Sequence, residues 1–277
     1  MKTKETITTR TTKAMKAKTK ETIITKANKT KTNKTKTTEP TEVYMNLLND
    51  FGFKFIFRKK RFLIHFLNEL LDGKEKIKRV QELNSERLGK TKEDRRAVFD
   101  VYCKNEKGEH ILLEMQHIPQ DYFLDRSIYY SSFLIQQQGK KGKWDYKLKK
   151  IYVIGILNFV PKEMRATKDY IYRVKLCDIN TARVISEKLN FIYVNLPKFK
   201  KSSGKLETVM DYWLHALINS QPGREIDEKV LKKDRFFAGL LNTIRVNKLN
   251  KDEMRAYRLS ERDFEDMKKN MTGYISY

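Results

Sequence analysis

Hydrophobic positions along the chain change their period several times, and the changes mark out the elements. From Phe62 to Leu71, the residues Phe62, Phe66 and Leu70 fall on one stripe with Leu63 and Leu67 beside it, the spacing of a helix buried along one side, and Asp72-Gly73 ends it. Ahead of it, Asn49 and Asp50 precede Phe51-Gly-Phe-Lys-Phe-Ile-Phe57, and either polar residue is suited to cap a helix there. Residues 77–84 are a candidate first strand. Residues 95–104 and 109–116 are rich in β-formers, and the turn Asn105-Glu106-Lys107-Gly108 between them predicts a hairpin, with glycine available for a positive φ. A helical pattern follows from Gln120 to Lys140 through Phe123, Ile128, Phe133 and Leu134.

The run from Lys150 to Val160 is nearly continuous in apolar residues, which suits a strand covered on both faces. Residues 169–179 and 189–196 read as further strands. Leu206 to Asn219 and Glu225 to Asn247 read as helices, and Lys251 to Lys269 as a polar one. This order predicts an α/β, mixed α+β architecture: a central mixed sheet with helices packed on it and a helical C-terminal region.

Residues 1–42 depart from all of this. They hold 15 Thr and 11 Lys in recurring Lys-Thr pairs with almost no apolar side chains, so nothing offsets the entropy of ordering and the tract is expected to be disordered. The composition changes at Tyr44. The expected organisation is therefore a Lys/Thr-rich extension over 1–43, a folded domain over 44–200 and a helical region over 201–277.

The net charge of +24 divides into +8 for residues 1–42 and +16 for the rest, so the basic character is not confined to the extension. Such a charge draws a protein toward polyanions, nucleic acid first and a membrane surface second. Abundant Lys, Asn, Ile and Tyr also follow from AT-rich coding, so charge alone does not fix the partner. No apolar run approaches the roughly 18 residues that a membrane-spanning helix needs, and no charged-then-apolar start reads as a secretory signal. Cys103 and Cys177 are too few for a disulfide framework or a zinc site and read as two buried thiols in a reducing cytoplasm.

The hairpin carries the candidate chemistry. A three-residue turn at 106–108 sets cross-strand pairs whose numbers sum to 214, which puts Asp100 opposite Glu114. Directly opposed residues stand about 4.5–5.5 Å apart at Cβ. By alternation Asp100 shares a face with Tyr102, and Glu114 shares one with Leu112 and Gln116. Both acids sit among apolar neighbours, Val98-Phe99 and Val101-Tyr102 around one, Leu112-Leu113 and Met115 around the other, and acids in such strands need a reason. Two close carboxylates repel each other and attract a hard cation. Oxygen-only ligation with open positions suits Mg2+, with Mn2+ as the alternative, and such an ion can polarise a phosphodiester. The plain alternative is a pair of acids at a solvated edge.

Other signals are weaker. The four histidines, at 65, 110, 117 and 215, show no metal spacing, and His117 reads as a loop residue. No glycine-rich phosphate loop occurs, so ATP is not implied. Lys140, Lys141, Lys143, Lys147, Lys149 and Lys150, interleaved with Trp144 and Tyr146, suit either a phosphate-tracking surface with a stacking platform or a solvated loop.

Asp100 followed by Glu114-Met115-Gln116 resembles the Asp…(Asp/Glu)-x-Lys core of the PD-(D/E)XK nucleases. The flanking segments resemble one branch, the PD-(D/E)XK nuclease family transposases, also called recombination-promoting nucleases. They are Asn49 to Phe57, Phe66-Leu67-Asn68, Phe99-Asp100-Val101-Tyr102, Glu114-Met115-Gln116, Arg126 to Tyr130, Gln137 with Gly139, and Ile151 to Phe159. The resemblance implies a restriction-endonuclease-like core and a Mg2+- or Mn2+-dependent DNA endonuclease linked to recombination or transposition, acting in the cytoplasm with DNA as partner.

By position, Asp100 and Glu114 would hold the metal, with the Met115 carbonyl as a third ligand. Gln116 would occupy the place of the catalytic lysine, and Asp50 would match an accessory acid before the first helix, unless it is merely a helix cap. Gln116 can orient a water but carries no charge. Arg126, Tyr130 and Gln137, at spacings of 4 and 7, line one helix face and would contact phosphate or substrate, or else form a structural network. The missing lysine charge motivates a second reading: a catalytically degenerate domain that only binds DNA or protein. A three-carboxylate, ribonuclease-H-like transposase fits poorly, because that fold draws its acids from well-separated segments.

Overall fold

The computed structural model describes residues 44–71, 76–83, 86–87, 97–119, 122–140 and 142–274. The expected disordered tract at 1–43, Asp72-Gly73 and Lys141 lie outside the described residues.

Two helices open the fold, α1 (Asp50–Phe57) and α2 (Lys60–Leu70). Strand β1 (Val80–Glu82) follows, and then β2 (Glu86–Arg87) and β3 (Ala97–Val98) pair as a separate two-stranded ladder. The hairpin is β4 (Val101–Asn105) and β5 (His110–Gln116). Helix α3 (Phe123–Gln136) leads to β6 (Ile151–Leu157), β7 (Ile171–Cys177) and β8 (Val184–Asn195). The chain ends in α4 (Val209–Asn219), α5 (Glu228–Leu231), α6 (Arg235–Thr243) and α7 (Lys251–Tyr274).

The main sheet has six strands in the order β1-β4-β5-β6-β8-β7. β5, β6 and β8 run parallel, and the flanking pairs are antiparallel, so the sheet is mixed. The buried run expected at 150–160 is the parallel β6 at its centre, where helices cover both faces. Gly155 in that strand is forced by space: a Cβ would lie 2.9 Å from the Phe123 ring and 3.3 Å from Leu157 and Tyr193 side chains.

Two apolar clusters sandwich the sheet. One face carries Val101, Cys103, Ile111, Leu113, Ile154 and Ile192 against α1, α2 and the C-terminal helices, with Trp213 of α4 at the centre of an aromatic group that includes Phe57, Phe62 and Phe66. The opposite face carries Tyr102, Leu112 and Val153 against Phe123 and Leu134 of α3. The C-terminal helices thus share a core with α1 and α2.

Several expectations need correction. The strand expected over 95–104 breaks at Phe99-Asp100, where Asp100 occupies a bend and its carboxylate is taken up by a backbone N–H of β5. The single helix expected over 225–247 is two, because Asp227 accepts from Val230 N and Asp234 accepts from Phe236 N and Phe237 N, so each acid caps a new start. Cys103 is buried, and burial pushes its thiol up to about 12, but Cys177 is exposed at the end of the edge strand β7. Among the described residues no helix is long and apolar enough to cross a membrane.

Candidate active site

The hairpin has the expected register. Val101 pairs with Leu113, Tyr102 with Leu112, Cys103 with Ile111 and Lys104 with His110. Gly108 takes a φ of +74° in the turn. Extended by one residue, this register sets Asp100 opposite Glu114, but the ladder stops at Val101. Freed from strand alternation, Asp100 accepts a hydrogen bond at Oδ2 from Met115 N at 2.9 Å. Glu114 keeps its place in β5, on the α3 side, only 6% exposed. Its Oε2 lies 3.6 Å from Arg126 Nη2 and 3.4 Å from Gln116 Nε2.

Glu114 feels the charge of Asp100. Burial, and then the Asp100 charge, push the Glu114 carboxyl up to about 8, against the opposing pull of Arg126. Burial also raises Asp100, opposed by the Met115 N–H and by Lys54. Burial so deep keeps the Glu114 carboxyl largely neutral near pH 7 even with Arg126 3.6 Å away. The donor set is all oxygen, so these two residues fit a hard divalent ion. Among the described residues no group of three His, Cys, Asp or Glu side chains converges to hold a metal, so any further ligand would come from backbone, water or substrate.

Helix α1 supplies the front of the site. Asn49, not Asp50, is its cap: Asn49 Oδ1 accepts from Gly52 N at 2.6 Å. Gly52 is required there, since a Cβ would lie 2.0 Å from the Asn46 carbonyl oxygen. Asp50, 65% exposed at the side chain, instead binds Lys54 one turn on, with Oδ1 to Nζ at 2.6 Å. Lys54 Nζ lies 3.7 Å from Asp100 Oδ1.

The N-terminal end of α1 is tied to α7. Glu261 accepts from the side-chain amides of Asn46 and Asn49, Ser260 accepts from Phe51 N, and the Tyr257 hydroxyl accepts from Asn46 N. Between these helices lies a groove of about 1000 Å3 lined by Asp50, Lys54, Asp100, Met115, His117 and Ser260, among others. His117 lies in the loop after β5, as expected, but its ring is buried there. Its ring packs edge-on to Phe264 at 4.8 Å, and burial lowers it to about 4, so the imidazole is neutral.

The residues expected on one face of α3 divide. Arg126 reaches Glu114 and lies over the Phe123 and Tyr130 rings, and Tyr130 packs edge-on to Phe99 at 5.1 Å. Gln137 is at the other end of the helix. Its Oε1 accepts from the Tyr102 hydroxyl at 2.7 Å, and that oxygen also contacts His110 Nδ1 at 2.6 Å. The hydroxyl has one proton; if Gln137 takes it, His110 must donate from Nδ1. His110 precedes Glu114 by four strand residues, or about 13 Å along the strand. Gln137 is thus remote from the acids.

The sequence profile of the PD-(D/E)XK nuclease family transposases matches residues 47–273, from the loop before α1 through most of α7. The chain belongs to this family. No curated protein and no solved structure matches it. The mixed sheet flanked by helices is the restriction-endonuclease-like fold that the family carries.

Sequence reasoning missed Lys54 and the burial of His117. The first had a signal: Asp50 and Lys54 stand four apart, a pairing distance on any helix. The second had none, because the helix that buries His117 lies far along the chain. Trp144 and Tyr146 of the basic stretch meet at 4.7 Å with their rings tilted by 34°, and Tyr146 is 79% exposed at a φ of +56°.

Proposed function

We propose that this family member is a DNA endonuclease that hydrolyses phosphodiesters with Mg2+ or Mn2+, in the service of recombination or transposition. One observation carries the reading: two acids from adjacent segments, Glu114 buried and held near 8 despite Arg126 and Asp100 fronting a groove, form an oxygen-rich pair. Asp100 and Glu114 would hold the ion, with the Met115 carbonyl as a third ligand. When bound, the ion would polarise the scissile phosphate and lower the pKa of an attacking water.

Gln116, on the same strand face as Glu114, would orient that water through its amide. Hydrolysis joins the water oxygen to phosphorus, breaks one phosphorus–oxygen ester bond and passes a proton to the departing oxygen. Arg126, held over Tyr130 and 3.6 Å from Glu114, would keep that acid oriented. The bond from Tyr102 to Gln137 favours a structural role for Gln137. The net charge of +24 favours DNA as the polyanion.

A binding-only domain is the second reading. It is favoured by the cations already beside each acid, Lys54 at Asp100 and Arg126 at Glu114, and by the neutral side chain at 116. Plasmid nicking with Mg2+, Mn2+ or chelator separates the two. Metal-dependent nicking by the wild type that is lost in Asp100→Ala and Glu114→Ala is expected. Equal nicking by all three proteins, or salt-dependent binding without any nicking, overturns the nuclease.

A further inference from the structure

Residue 116 is glutamine, so the β5 motif offers no positive charge to a phosphate. A positive charge is nevertheless present at Asp100, delivered from a different element. Lys54 Nζ stands 2.6 Å from Asp50 Oδ1 and 3.7 Å from Asp100 Oδ1, and its side chain is only 25% exposed. The helix that carries it is held in place, capped by Asn49 and tied at its N-terminal end to Ser260 and Glu261 of α7.

Lys54 and Asp100 line the same groove, with Arg58 and Lys59 further along α1 and Glu253 and Asp263 facing them from α7. Its volume of about 1000 Å3 lies at the upper end of the roughly 300–1000 Å3 typical of small-ligand sites, room enough for a nucleotide. The other cation near the acids, Arg126, is engaged with Glu114, Phe123 and Tyr130 on the α3 side.

Building on the nuclease reading, we propose that Lys54 is a catalytic residue: its ammonium donates hydrogen bonds to a non-bridging oxygen of the scissile phosphate and supplies the charge that residue 116 lacks. Asp50 is then a positioning residue that holds Lys54 rather than a metal ligand. No proton is transferred; the ammonium acts as a fixed charge, strongest where the negative charge of the transition state develops. This arrangement explains why an exposed acid and a half-buried lysine are paired at the mouth of an acidic site, where an unneeded cation would only compete for Asp100.

The test uses the full chain and two separate measurements. With Ca2+ replacing Mg2+, DNA binding is followed by anisotropy across a salt series. Lys54→Met is expected to lower the slope of log K against log salt by about one, the effect of losing one phosphate contact. With Mg2+, its single-turnover cleavage rate is expected to fall about 10²–10³-fold, the scale for losing one donor to a developing oxyanion. Lys54→Arg keeps part of the rate, and adding Gln116→Lys to Lys54→Met restores it, which a merely structural role would not allow.

Calorimetric Mn2+ affinity should not weaken in Lys54→Met; a weakened affinity would mean that the lysine only shapes Asp100, and overturns the proposal. An unchanged slope and rate in Lys54→Met, with cleavage still lost in Asp100→Ala, overturns it and spares the nuclease. A Lys54-dependent slope in a wild type that never cleaves overturns the nuclease and spares the phosphate contact. No DNA binding by the wild type overturns both.

Discussion

The proton on Glu114 makes the metal-free protein less stable as pH rises, and Glu114→Gln should remove that dependence. The carboxyl moves from an ordinary 4.5 to about 8, mainly through burial and then through Asp100. Between those values the folded chain holds one more proton than the unfolded chain, so stability declines with increasing pH. At about 1.4 kcal/mol per unit over roughly 3.5 units, the full effect approaches 5 kcal/mol. Most of it is present by pH 8, and none of it below about pH 4.

Glutamine keeps the shape and never ionises. Denaturant unfolding at half-unit steps from pH 4.5 to 9, in chelator, should show Glu114→Gln gaining on the wild type by up to about 1.4 kcal/mol per unit across the window and then levelling off. Saturating Mg2+ should flatten the wild-type curve, because an ion paired with the ionised form replaces the proton. Parallel curves for the two proteins would refute the reasoning, since they would mean that Glu114 is as solvated when folded as when unfolded.

Three further outcomes follow from other parts of the fold. Tyr102→Phe leaves Gln137 and His110 without the buried hydroxyl and should cost about 1–3 kcal/mol in urea midpoint analysis while leaving the nicking rate unchanged; a loss of nicking without destabilisation would return Gln137 to the site. Gly155→Ala forces a methyl against Phe123 and should destabilise by about 1–3 kcal/mol, most of it recovered when Phe123→Leu is added; simple additivity of the two costs would contradict the contact. Burial would raise the Asp211 carboxyl, but Lys201 and the N–H groups of Glu207 and Thr208 outweigh it and hold it below the ordinary value. Its contribution is therefore complete above about pH 4 and lost as pH falls below, so the penalty of Asp211→Asn should shrink in acid; a penalty constant down to pH 2 would count against this.

What the sequence disclosed depended on the range of the interaction. The hairpin register was legible because turn length sets it locally, and β6 because an apolar run has few other uses. Alternation failed at Asp100, where a side chain bonding to the backbone of the neighbouring strand ends the strand, a competition that no period reveals. The split between α5 and α6 was written in Asp234, which reads as an ordinary helical residue until its capping bonds are seen. Exposure of Cys177 followed from β7 being an edge, a matter of strand order. Asp50 and Lys54 lay inside a segment already singled out, yet their meeting with Asp100 depends on α1 crossing the end of β4. Gln137 shared a helix face with Arg126, but one face of a four-turn helix spans both ends of a sheet.

The dependence of α1 on α7 reaches beyond the folded state. During synthesis, Asp50, Lys54, Asp100 and Glu114 all leave the ribosome before the segment that anchors the first helix has been translated. A product ending before α7 would retain these four side chains and lack the helix that ties down α1 and lines one side of the groove. The groove therefore gains its second wall only after α7 has been made and has packed against α1.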